Sequence, residues 1–205
     1  QARQYCTVFL NISKEESMTA FTTEKIDVEP WFDMELFMGV SQETRLGGDV
    51  MDRFMTLWKN WLPHLTVKGI DTGKIKYLLV ALDESVEQDV DKAWEGSPSN
   101  AFLYNALAQT MCMAAVHAVI PEVQDAGCAP APKPTATLRE ALEAEGIPYS
   151  NDKDPILSRR YAVVTHYPFK GGCEICVLQS NCPKGQGQME ATSVVLPGYE
   201  HPQQM

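Results

Sequence analysis

The order of apolar and polar residues predicts a mixture of strands and helices. The clearest strand is 76–82 (Lys-Tyr-Leu-Leu-Val-Ala-Leu), because a nearly unbroken apolar run of this length is typical of a strand buried on both faces. Residues 5–12 and 160–167 are rich in β-branched and aromatic side chains and predict two more strands. Residues 18–28 alternate loosely and suit a hairpin partner, whereas 66–72 predict a loop.

Apolar residues at helical spacing predict four helices, each preceded by a residue that can cap its N-terminus. The predicted capping residues are Asp49, Asp83, Ser97 and Thr137. The helix after Ser97 is long and rich in alanine, and Thr137 begins a capping box with Glu140. Between these last two helices, 127–134 contains three prolines, which predict a stiff connection without regular structure.

Together these elements predict an α+β fold in which a mixed or antiparallel sheet packs against helices. Residues 1–185 are expected to form a single domain that ends in a cysteine-rich metal loop at 171–185. Glycine, glutamine and proline dominate 186–205, which predicts a flexible tail.

Charge and composition exclude some classes of partner. The net charge is -10 and no basic cluster exceeds the pair Arg159-Arg160, so a phosphate backbone would be repelled and nucleic acid is not expected as a partner. No run of about eighteen apolar residues suggests a membrane span. Six cysteines are too few for a disulfide-dense scaffold of this length, and the clustering of three suggests metal ligation in a reducing, cytoplasmic compartment.

The cysteine loop is the sharpest chemical motif. Cys173, Cys176 and Cys182 follow a glycine pair and precede a proline, in the spacing Cys-x2-Cys-x5-Cys-Pro. Thiolates bind soft metals, and three of them leave one ligand position to fill. Cys128 is the predicted fourth ligand, and His166 is the alternative.

The spacing of this loop favours a four-iron cluster over a zinc ribbon, where a second Cys-x2-Cys or a histidine pair is expected. Zinc, and a reactive dithiol without metal, stay open as alternatives. Cys6 lies in a predicted strand and Cys112 in a predicted buried helix, so both are expected to be small core residues.

The order of elements resembles one known family. The strand 76–82 runs into an acidic helix, a Gly-Ser-Pro junction leads to the alanine-rich helix, and then come the proline-bearing loop, a short Leu-Arg-Glu-Ala-Leu helix, a strand and the cysteine loop. This order, over roughly residues 70–185, is similar to the activation (reactivation) domain of cobalamin-dependent methionine synthase, particularly to stand-alone versions with a terminal cysteine cluster. The resemblance implies a mixed α+β fold, S-adenosylmethionine binding, and the capping of a corrinoid so that oxidised cobalt can be reduced and remethylated.

The chain departs from that family where the family binds S-adenosylmethionine. The family carries an Arg-x-x-x-Gly-Tyr type pattern between the long and the short helix, whereas this chain has Asp-Ala-Gly-Cys-Ala-Pro-Ala-Pro at 125–132. A cysteine therefore stands in the loop that should hold the nucleotide. This substitution motivates the hypothesis of a divergent member whose ligand site holds a 4Fe-4S cluster bound by Cys128, Cys173, Cys176 and Cys182.

Three functions follow as hypotheses. The first is an iron-sulfur protein that passes single electrons to a corrinoid protein, to bound cobalamin or to another redox partner. The second is an interaction subunit in which zinc or a cluster is only a structural staple. The third is an activation enzyme that still binds S-adenosylmethionine through altered contacts, with Asp83, Glu84, His117, Tyr161 and His166 as candidate polar groups.

Overall fold

The computed structural model describes residues 21–151, 155–169 and 174–182. Within these residues the chain forms six α-helices and four strands. In chain order they are β1 (Thr22–Lys25), α1 (Met34–Ser41), α2 (Gly48–Trp61), β2 (Leu65–Asp71), β3 (Lys76–Leu82), α3 (Glu84–Gly96), α4 (Pro98–Val119), α5 (Pro121–Ala126), α6 (Ala136–Ala144) and β4 (Ala162–His166). The prediction of an α+β fold is confirmed.

The four strands form one antiparallel sheet in the order β1-β2-β3-β4. The predicted strand 76–82 is confirmed as β3, and every residue of β3 after Lys76 is buried, as its apolar run indicates. The prediction at 160–167 is confirmed in its central part as β4. Among the described residues β4 has no strand neighbour on its other side, so it is an edge of the sheet that these residues form.

Helices cover both faces of the sheet. On one face Val67, Leu78 and Val80 pack in a large core with buried residues of α1 to α5. On the other face Leu79 and Val164 pack in a smaller core with one face of α6. The sheet therefore separates an α4 side from an α6 side, and alternate residues of each strand point to opposite sides.

The long helix α4 is the centre of the larger core. It contacts α1, α2, α3 and α5 as well as β3 and β4. Its length and apolar composition would also suit a membrane-crossing helix, but half of its most apolar window is buried inside the fold. Burial on several sides explains why its apolar residues are not confined to one stripe.

The prediction of a loop at 66–72 is wrong, because these residues form most of β2. Gly69 obscures the strand pattern, since glycine is unfavourable inside strands. The position of Gly69 in the sheet explains why a glycine stands there. A Cβ atom on this residue would lie 3.2 Å from the Glu24 side chain of β1. Pairing with strands on both sides therefore outweighs the weak strand propensity of the segment.

Two of the four predicted caps are confirmed and two are displaced. The side chains of Asp83 and Ser97 cap α3 and α4, as predicted. The helix α2 begins after Gly47 without a side-chain cap, so Asp49 lies in its first turn, where a carboxylate favours the helix dipole. The cap of α6 is Thr135 rather than Thr137, because the Thr135 hydroxyl accepts the N–H of Leu138 at 3.3 Å.

The connection at 127–134 lacks helix and strand, as its prolines predict, but α5 just before it was not predicted. The predicted strand at 5–12, the glycine pair before the cysteine loop and the predicted tail at 186–205 lie outside the described residues.

Candidate functional site

A groove of about 320 Å³ opens where β4 ends beside the cysteine loop. We call it the His166 groove. Its walls come from the start of β3, the end of β4, the segment that leads into α6, and the cysteine loop. The lining residues are Ile75, Tyr77, Lys133, Thr135, His166, Glu174, Ile175, Cys176 and Gln179.

The antiparallel register of β3 and β4 places His166 in this groove. His166 is paired with Tyr77, so both side chains point to the α6 side of the sheet. The two rings lie 5.4 Å apart between centroids, at an angle of 41°. The sequence identifies both strands but not their register, so Tyr77 could not be assigned to the site in advance.

The His166 side chain is buried, and no hydrogen bond joins it to a described residue. Its exposed fraction is 4%, and neither Nδ1 nor Nε2 has a partner among the described residues. Burial lowers the pKa of His166, so the folded chain favours the neutral imidazole, the form that binds metals. Buried polar groups in native proteins nearly always have a hydrogen-bond partner, which makes His166 a candidate ligand-binding residue of this groove.

The cysteine loop is attached to the segment that leads into α6. The backbone N–H of Val177 donates to the Ala131 carbonyl at 2.9 Å. Two successive turns follow, in which Gln179 N–H donates to the Cys176 carbonyl at 3.1 Å and Cys182 N–H to the Gln179 carbonyl at 3.3 Å. Cys176 is half-buried and opens into the His166 groove. Cys176 and His166 therefore line the same groove.

Cys128, the predicted fourth ligand, lies just beyond α5. It is half-buried, and its N–H donates to the Val123 carbonyl at 3.3 Å. The next residue, Ala129, packs against the core on the α4 side of the sheet. Farther along, the Pro130 carbonyl accepts the hydroxyl of Thr165 at 3.0 Å, which holds the segment against the edge strand β4.

The predicted four-cysteine centre stays a prediction. Cys173 lies outside the described residues, and Cys182 is half-buried in the loop. Among the residues that the structure describes, no three His, Cys, Asp or Glu side chains form a group that could hold a metal ion. The described arrangement therefore brings Cys176 and His166 to one groove and leaves the convergence of the remaining ligands open to experiment.

The prediction that Cys112 is a core residue is confirmed. Cys112 is buried in α4, and its Sγ donates to the Tyr161 carbonyl at 3.5 Å. Burial raises the pKa of the Cys112 thiol to about 12, so this thiol is inert at neutral pH. The other predicted core cysteine, Cys6, lies outside the described residues.

A histidine, an aspartate and a serine also meet at the start of α3, a cluster that sequence reasoning missed. His64 Nδ1 lies 2.6 Å from Asp83 Oδ2 and 3.3 Å from Ser85 Oγ. The Ser85 hydroxyl itself donates to Asp83 Oδ1. In a catalytic triad the serine and the carboxylate bind opposite ring nitrogens, whereas here both approach Nδ1. This cluster therefore forms part of the N-terminal cap of α3 and lacks the arrangement of a catalytic triad.

The remaining polar groups suggested for an altered S-adenosylmethionine site are dispersed. Tyr161 is buried and its hydroxyl donates to Asn105 Oδ1 at 3.0 Å. His117 lines a different groove, between α1, α4 and α5, where burial lowers its pKa and Asp33 partly opposes this effect. Asp83 caps α3, as described above. Asp83, His117 and Tyr161 are not among the described residues that line the His166 groove.

The chain was compared with known proteins at the level of sequence and of fold. It matches no protein-family model, no curated protein and no solved structure. The resemblance to the methionine synthase activation domain therefore stays a prediction.

Proposed function

We propose that this chain binds an inorganic centre, a 4Fe-4S cluster, at its cysteine loop and passes single electrons to a partner protein. One observation carries the proposal: Cys176 and the buried His166 line the same groove, and neither imidazole nitrogen has a partner among the described residues. Cys176 lies on a loop that a backbone hydrogen bond attaches to the fold. Leaving a buried polar group unpaired costs about 1–3 kcal/mol. A bound centre would supply the missing partner.

The residues of the loop suit this role. Thiolates of Cys173, Cys176 and Cys182 would hold the cluster, which supplies one-electron chemistry when bound. The chain determines how far the centre lies from water and which hydrogen bonds reach its ligands, and these two factors tune the reduction potential. His166, which lines the groove, is only 4% exposed.

The rim of the groove suits transient contact with another protein. Ile175 and Leu178 of the cysteine loop are 46% and 54% exposed, and Ile75 stands exposed on the opposite wall. Electron transfer complexes are small and short-lived, so a few exposed apolar side chains around the centre are sufficient for docking. The acidic character of the chain, with a net charge of -10, would favour a partner with a basic face.

A corrinoid protein is the partner that we propose for these electrons. The basis is the order of elements β3, α3, α4, α6 and β4 before the cysteine loop, which is the order that resembles the activation domain of methionine synthase. Reduction of oxidised cobalt requires a low-potential electron donor, and iron-sulfur clusters reach sufficiently low potentials.

The proposal is tested by a matched pair of cysteine variants in the anaerobically purified chain. Cys176→Ala should abolish the brown colour and the sulfide-to-iron absorption. Cys112→Ala, at a buried thiol on the far side of the sheet, should leave both unchanged. Equal absorption from both variants would contradict a centre on the cysteine loop.

A zinc staple is the second candidate, and His166 is the observation that favours it. Three thiolates with one imidazole are a common ligand set of structural zinc sites. In this case a chelator would unfold the end of the chain, and no visible absorption would accompany the bound metal. Zinc and iron measurements on the same sample distinguish the two candidates.

A further inference from the structure

We propose that a groove at the junction of α3 and α4 binds an arginine side chain of a partner protein. We call it the Trp94 groove. Its volume is about 390 Å³, and its lining residues are Glu43, Trp94, Pro98, Ser99, Phe102 and Leu103. None of these residues lines the His166 groove, so this inference goes beyond the proposed function and does not depend on it.

Two aromatic side chains form walls of the Trp94 groove. Trp94, near the end of α3, is 44% exposed, and Phe102, in the second turn of α4, is 61% exposed. Their ring centroids lie 6.5 Å apart, and the ring planes are inclined at 78°. A cation is attracted to the face of an aromatic ring within about 6 Å of its centroid. Two nearly perpendicular rings at this separation can therefore attract the same cation.

Carboxylates accompany the two rings. Glu43 lines the groove and is exposed, and Glu95 follows Trp94 at the exposed end of α3. Arg45 and Lys92 are the nearest basic residues in the sequence. Among the described residues, however, no ion pair joins either of them to Glu43 or Glu95. The groove therefore combines aromatic faces with negative charge, which is complementary to a cation.

Arginine suits this combination better than lysine. Its planar guanidinium stacks on an aromatic face and can donate two parallel hydrogen bonds to one carboxylate. The chain contains a similar arrangement, because the Arg160 guanidinium lies 5.8 Å from the Tyr161 ring centroid and donates to Asp91 Oδ1 at 2.7 Å. The lining of the Trp94 groove has the aromatic faces and the carboxylate but no basic residue.

A protein segment is the source of arginine that fits this surface. A small free cation would cover little of two rings that are so widely exposed. A segment that carries arginine beside an apolar residue can also contact Pro98 and Leu103 in the same groove. Aromatic residues and arginine are enriched at protein interfaces, whereas the chain's charge of -10 disfavours acidic partners.

The test is calorimetric titration of the full chain with the peptide acetyl-Ala-Arg-Leu-Arg-Ala-amide. A second peptide carries citrulline in place of both arginines, which keeps the shape of the side chain and removes its charge. The chain is compared as wild type, Trp94→Leu, Phe102→Leu and Glu43→Gln. Trp31→Leu and Glu140→Gln are the matched controls, because both residues are exposed and neither lines the groove.

We expect the arginine peptide to bind the wild type and to shift the Trp94 indole N–H signal in nuclear magnetic resonance spectra. The citrulline peptide should bind about fivefold or more weakly. Trp94→Leu, Phe102→Leu and Glu43→Gln should each weaken binding of the arginine peptide about two- to fivefold, because each removes one contact to the guanidinium. Trp31→Leu and Glu140→Gln should leave the affinity unchanged.

Three results would overturn this inference. They are equal affinity for the two peptides, neither heat nor an indole shift with the arginine peptide at millimolar concentration, and an equal loss of affinity in Trp31→Leu and Trp94→Leu. Iron, sulfide and zinc measured in the same wild-type sample test the proposed function separately. Failure of one proposal is therefore distinguishable from failure of the other.

Discussion

Replacing His166 by leucine should make the metal-free chain more stable. The side chain is 4% exposed and carries two nitrogens without described partners. Each unsatisfied buried polar group costs about 1–3 kcal/mol, and leucine fills a similar space without such a group. Allowing for imperfect packing of the new side chain, we expect the free energy of unfolding to rise by about 1–3 kcal/mol in total.

The assay is urea unfolding of the chain after dialysis against a chelator. With a slope of about 2 kcal/mol/M, this gain raises the midpoint urea concentration by about 0.5–1.5 M while the slope stays unchanged. His117→Leu, at a partly buried position, should change the free energy of unfolding by less than about 0.5 kcal/mol.

A lower midpoint for His166→Leu would refute the reasoning, because it would mean that the imidazole makes stabilising hydrogen bonds in the metal-free chain. With metal bound the order should reverse. A metal present at about a thousand times its dissociation constant adds about 4 kcal/mol to the wild type, and the leucine variant forgoes most of this gain.

Three further predictions concern the cap, the histidines and the loop. Thr135→Ala should lower the free energy of unfolding by about 1 kcal/mol in urea unfolding, because it removes the cap of α6, whereas Thr137→Ala should change it little. Burial lowers the pKa of His117 and His166. As the pH falls, these two side chains therefore bind protons more readily in the unfolded metal-free chain than in the folded chain. Thermal unfolding at several pH values should therefore show stability falling as the pH is lowered through 6.5, the ordinary histidine pKa; a flat profile would contradict this. Val177→Pro removes the N–H that binds the Ala131 carbonyl and should weaken metal retention up to about tenfold in competition with a chelator.

The sequence predicts best those elements whose local pattern and tertiary role agree. The strand β3 is apolar throughout because both faces are covered, and Asp83 and Ser97 cap helices wherever those helices pack. The strand β2 was missed because its glycine is explained only by a neighbour from another strand, Glu24. Glu24 and Gly69 are far apart in the sequence, so the pattern of residues around Gly69 does not indicate this contact.

The candidate site was likewise predictable only where the local sequence is sufficient. The spacing of the cysteine loop predicts metal binding without any structure, and His166 could be named only as an alternative ligand. What the sequence could not supply was the register that places His166 opposite Tyr77, and the packing of Ala129 against the core on the α4 side. Both depend on contacts between residues distant along the chain.

The most direct test of a metal centre on the cysteine loop is the amount of iron, acid-labile sulfide and zinc bound per chain after anaerobic purification. A 4Fe-4S centre predicts about four iron atoms and four sulfides per chain. One zinc ion without iron would support the structural staple instead. A folded chain that carries neither metal, and takes up neither on reconstitution, would contradict the account.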